Sequence, residues 1–132
     1  MVIDSHALYW WLEGDGRLPL RGRKRIDQAL GEGGGGILVA AVTFWEMRMK
    51  ERRGLIEPKL PVDGWPGVLG RHEAIRIVAT DSAIWMRSAD LPWDHSDPAD
   101  RIIAATALVH GMPVLTKDGR FHQEDSPVEA VW

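Results

Sequence analysis

Ile102 to Val109 reads Ile-Ile-Ala-Ala-Thr-Ala-Leu-Val, a run with almost no polar face. A helix of this kind is stable only where neighbours cover most of its surface, so the chain must build a core around it. Its ends are marked. Asp97 or Ser96 before Pro98 reads as an N-cap and first helical residue, a place where proline loses no needed N–H. Gly111 suits the left-handed position after the last turn. Pro113 then introduces Val114-Leu115-Thr116, with the length and content of a buried parallel strand. Asp100 falls in the first turn of the helix and Asp118 just beyond the strand's C-terminal end, where two carboxylates can meet.

The same alternation runs through the rest of the chain. Val2-Ile3-Asp4 reads as the end of a strand, and Ser5 to Leu12 as a helix stopped by Gly14-Asp15-Gly16. A helix from near Pro19 to Leu30 should end at Gly31, and Gly33 to Gly36 make a linker. The residues after them lack the lysine and hydroxyl of a phosphate loop; Ile37 to Ala40 reads instead as a buried strand. Thr43 is placed to cap the next helix, which carries Glu46 in or near its first turn and stops near Gly54. Leu55 to Pro61 reads as loop, Val62 to His72 as a helix despite Pro66, and Ile75 to Val78 as a third strand. Thr80 or Asp81 caps a helix through Ser88. Val128 to Val131 completes the set as a short last strand.

Strands alternating with helices imply right-handed crossovers and a parallel sheet covered on both faces, a three-layer α/β/α sandwich. With 132 residues, 45% of them hydrophobic, the chain has room for one domain, residues 1–132, with a sizeable core. The absence of cysteine removes disulfides, thiolate metal sites and a cysteine nucleophile, and fits a cytoplasmic protein. The opening MVIDSHALYWWL lacks the basic start of a signal peptide, and no apolar run approaches membrane-spanning length. Net charge of −3 argues against a general nucleic-acid coat. The basic clusters at Arg17 to Arg25 and Arg48 to Arg53 read as solvated helix faces.

Open parallel sheets collect ligands at the C-terminal ends of their strands. Asp4, Glu46, Asp100 and Asp118 all fall at such an end or early in the following helix. Each has a structural alternative: turn or cap for Asp4 and Asp118, helix-dipole partner for Glu46, capping-box acid for Asp100. Asp97 is explained by capping alone. Together in one cleft, four carboxylates would repel unless cations neutralise them or some take up protons. A divalent ion with oxygen ligands, Mg²⁺ or Mn²⁺, is the simplest solution and suits phosphodiester hydrolysis. A phosphate-accepting receiver domain would need an aspartate ending its third strand, where only Asp81 is on offer.

These segments resemble the PIN-domain nucleases and, within them, the VapC toxins of bacterial and archaeal toxin–antitoxin pairs. The resemblance covers nearly the whole chain. It rests on IDSHALYWWL, VTFWEMRMKERRGLI, the leucine-proline before His95, and above all HSDPADRIIAATALVHGMPVLTKDGRF. It implies Asp4, Glu46, Asp100 and Asp118 as the metal-binding and catalytic set, a magnesium or manganese cofactor, and RNA as substrate. Ser5, where the family usually has threonine, and Thr116 would orient carboxylates by hydrogen bonds. It further implies a homodimer, inhibited by a VapB-type antitoxin whose arm covers the cleft and often places an arginine among the acids. Only three residues precede Asp4, so the first strand is short or the true start lies upstream. Gly31 to Gly36 is also richer in glycine than is usual.

Arg101, Lys117 and Arg120, next to the acids, are candidate RNA phosphate contacts. His6, His95 and His122 read as structural or supporting residues, because a carboxylate-bound metal hydroxide needs no imidazole base. Trp10, Trp11 and Trp45 can stack on bases, with burial the competing reading. The rival to an enzyme is a non-catalytic PIN-like protein whose acidic cleft holds a partner's arginine arm or a structural ion.

Overall fold

A computed structural model describes residues 1–132. Five parallel strands form the sheet: β1 (Val2–Ile3), β2 (Ile37–Ala40), β3 (Ile75–Val78), β4 (Val114–Leu115) and β5 (Ala130–Val131), in the spatial order β3-β2-β1-β4-β5. β1 lies between β2 and β4, with Val2 opposite Leu38 and Val114. The helices are α1 (Ser5–Glu13), α2 (Leu20–Leu30), α3 (Val42–Arg52), α4 (Trp65–Leu69), α5 (Ser82–Ala89) and α6 (Pro98–His110).

Alternate strand side chains face opposite layers, as a pleated strand requires. Ile3, Ile37, Val39 and Leu115 pack with Leu8, Ile26, Met47, Trp65 and Leu69 from α1 to α4. Val2, Leu38, Ala40 and Val114 face the other way, onto Ile103, Ala104 and Ala107 of α6 and onto Trp93 and Phe121. The three-layer sandwich expected from the sequence is therefore present. Ile102 to Ala107 are all buried, and α6 is exposed only towards its ends, at Pro98 and Val109.

Local signals set most of the ends. Asp97 caps α6, its Oδ1 accepting from the Ala99 and Asp100 amides at 2.8 and 3.3 Å, and Gly111 closes it at φ 61°. Asp81 caps α5. The reading failed at α3: it begins at Val42 without a side-chain cap, and Thr43 is buried inside it. Glu46 consequently stands in the second turn. The single helix expected over Val62–His72 is instead a 3₁₀ turn, Val62–Gly64, running into α4, because Pro66 fits only a first turn and Gly70 follows within five residues. Gly31 ends α2 with extended backbone rather than left-handed.

Strand order decides where the site lies. The chain winds outward from β1 to β2 and β3, then returns to place β4 on the other side of β1. Such a reversal opens a crevice at the C-terminal ends of the two central strands. Asp4 follows β1, and Thr116 and Asp118 follow β4.

Candidate metal centre

Asp4 caps α1: its Oδ1 accepts from the Ala7 amide at 2.6 Å, and the residue is 5% exposed. A helix N-terminus favours a carboxylate there, but burial dominates and pushes its pKa up to about 7. The Ala7 amide and the Thr116 hydroxyl act in the other direction, while the charges of Asp100 and Glu46 add to the rise. Thr116, fully buried, also accepts from the Asp118 amide at 3.0 Å, tying the segment after β4 to the acid after β1. Asp118 caps the short 3₁₀ turn Gly119–His122.

Asp100 does not close a capping box with Asp97. Its Oδ2 is paired with His95 Nε2 at 2.8 Å, and its pKa is raised to about 6, chiefly by burial, with the His95 hydrogen bond opposing. His95, Asp100 and Asp118 bring one ligand atom each within 4.8 Å of one another. His95 is thus a member of the cluster that the sequence ranked as supporting. The only signal available was its position five residues before an acid, across a proline-led helix start.

Glu46 Oε1 accepts from Lys50 Nζ at 2.7 Å, one helical turn on. The same ammonium lies 2.9 Å from His6 Nε2; an ammonium has no acceptor, so this imidazole nitrogen is the unprotonated one. Loss of hydration first, then the Lys50 charge, hold His6 below the usual imidazole range, against the pull of Glu46 and Asp118. Glu46 Oε2 is buried without any hydrogen-bond partner.

Two candidates change role. Ser5 donates to Thr43 Oγ1 at 3.2 Å, joining α1 to α3 rather than orienting a carboxylate. Arg101 turns away from the acids: its guanidinium donates to the carbonyls of Ser88, Ala89, Leu91, Trp93 and His95, leaving it committed to the loop before α6 and not to a phosphate. Lys117 and Arg120 stay beside the centre without an ion-pair partner. Trp10 is buried, whereas Trp45 is 61% exposed and lines an apolar cleft of about 490 Å³ with Val42, Trp85 and Ile102, a cleft with no titratable lining residue.

The donor set fits a hard divalent cation. Two acids are raised toward neutrality by burial, a third has one buried oxygen with no partner, and one ammonium and one imidazole are the only basic side chains paired with them. Carboxylate oxygens are the ligands that a hard divalent cation prefers.

The PIN domain profile matches residues 1–125. Ribonuclease VapC22 of Mycobacterium tuberculosis (strain ATCC 25618 / H37Rv) is 33% identical over 135 residues, covering all of this chain and 98% of that protein. Among solved structures, FitAcB from Neisseria gonorrhoeae superposes with a TM-score of 0.68 at 20% identity, over 99% of this chain and 96% of the other. DNA-bound VapBC from Salmonella typhimurium gives 0.65 at 15% identity, over 98% and 95%.

Proposed function

Since the chain belongs to the PIN-domain family, in its VapC branch, we propose that it is a metal-dependent endoribonuclease, the toxin of a VapBC-type pair. The observation that carries this reading is the acidic crevice between β1 and β4, whose four carboxylates have one lysine paired among them, together with a full-length relative named as a ribonuclease. Residues 1–132 act as one nuclease domain.

Asp4, Glu46, Asp100 and Asp118 would hold the ion, Mg²⁺ or Mn²⁺, with His95 fixing Asp100. When bound, such an ion lowers the pKa of an attacking water and offsets charge at a scissile phosphate. The protein's own part is preorganisation. Thr116 joins the two strand ends, so the Asp4 and Asp118 carboxylates keep their separation. The His95 hydrogen bond fixes the rotamer of Asp100, and Lys50 occupies one Glu46 oxygen so that the other is left for a cation. Buried Val2, Ile3 and Leu115 beneath the acids keep the site on rigid strands.

The FitAB and VapBC complexes among the structural neighbours support a VapB-type antitoxin as partner; a homodimer is the assembly that we propose with it. No helix is long and apolar enough to cross a membrane.

The test is cleavage of total RNA and defined stem-loops by partner-free protein with Mg²⁺, Mn²⁺ or EDTA, beside folded Asp4→Asn. Metal-dependent products that disappear in Asp4→Asn are expected. An identical faint pattern from both proteins would transfer support to a non-catalytic cleft that binds a partner's arginine arm.

A further inference from the structure

Lys117 shares a groove with the carboxylates of Asp4 and Asp118 and pairs with neither of them. Two other cations close to acids are paired, Lys50 with Glu46 at 2.7 Å and Arg17 with Asp15 at 2.7 Å. The Lys117 ammonium instead lies over the Trp10 ring, 5.6 Å from its centroid. Trp10 is 8% exposed and fixed by an edge contact with Trp132 at 5.9 Å and by the His6 ring at 5.8 Å. Too little of the indole is free for a base to stack on it; the ring also carries the Arg17 guanidinium, 5.3 Å from its centroid, but that cation is already paired with Asp15, which leaves Lys117 as the unpaired charge it holds. Asp4, His6, Trp10, Lys117 and Asp118 together line an open groove of about 320 Å³.

We propose that this groove, on the α1 side of the acidic centre, receives the RNA backbone next to the cleaved bond, with Lys117 contacting a phosphate there and Trp10 positioning the lysine. The inference rests on the nuclease reading and adds to it the side on which the strand lies. A lysine whose task was to neutralise the acids would sit on one of them. An exposed ammonium held off them by an aromatic face keeps its charge for a ligand, and a polyanion is the ligand that an RNA-cleaving centre brings past. His6, on the same groove wall, already has Nε2 engaged by Lys50 and contributes shape rather than charge.

Lys117→Met, Lys117→Arg and the distant exposed Lys24→Met should be compared in the Asp4→Asn background, using fluorescence anisotropy of a single-stranded RNA across a salt series with Mn²⁺. Losing one single-strand phosphate contact should lower the slope of log K against log salt by about 0.7. Lys117→Met should show that change with several-fold weaker binding, Lys117→Arg should restore both, and Lys24→Met should match its parent. With Asp4 intact, Lys117→Met should raise KM more than it lowers kcat. If wild type cuts RNA but Lys117→Met leaves slope, affinity and KM unchanged, the groove assignment falls while the nuclease reading stands. If wild type neither binds nor cuts any RNA, both fall together.

Discussion

Arg101 Nη1 donates to the Trp93 carbonyl at 2.7 Å, so a side chain from the second turn of α6 gathers the chain that leads into its own N-terminus. The same guanidinium reaches the carbonyls of Ser88, Ala89, Leu91 and His95. His95 on that strap then meets Asp100. Arg101→Met should leave these carbonyls without their donor and cost about 2–4 kcal/mol, measured by urea unfolding. It should also weaken Mn²⁺ binding by calorimetry, through the loosened His95.

Stability of the metal-free protein should fall as pH rises from about 4 to about 7. Asp4 and Asp100 have folded pKa values of about 7 and about 6, both above the ordinary 3.8. Within that window the folded state binds more protons than the unfolded one, so deprotonation favours unfolding, and above it the dependence levels off. Urea midpoints in EDTA at about pH 5 and about pH 8 test the sign. Asp4→Asn should flatten the profile, and Mn²⁺ should stabilise wild type more at the higher pH.

Gly36 has φ of +70°, and a Cβ there would come within 2.8 Å of the Ala74 carbonyl oxygen. Gly36→Ala should cost about 2 kcal/mol or more through both the left-handed backbone and the close approach. Because Gly36 leads into β2 at the end opposite the acids, the melting temperature should drop while RNA cleavage of the folded fraction persists.

Asp97→Ala should remove the α6 cap and cost about 1 kcal/mol, seen by thermal unfolding. Metal-dependent cleavage should survive, since the Asp97 side chain bonds only to the Ala99 and Asp100 amides. A loss comparable to that of Asp4→Asn would show that Asp97 belongs to the centre.

What the sequence determined by itself is what short-range chemistry encodes. Apolar runs, prolines and glycines fixed the alternation of strand and helix, the Asp97–Pro98 start and Gly111 end of α6, and the places of Asp4 and Asp118 just past buried strands. Tertiary structure decided the rest. Only the order β3-β2-β1-β4-β5 puts the ends of β1 and β4 side by side, and nothing within a few residues of Asp4 or Asp118 specifies that pairing. Arg101 and Lys117 looked alike as basic neighbours of acids, yet a loop path drew one onto carbonyls and an indole from α1 held the other free. His95 joined Asp100 through the fold of that same loop, and Lys50 acquired His6 from another helix. Contacts between distant segments depend on crossover handedness, register and loop course, which a periodicity of two or 3.6 residues does not carry.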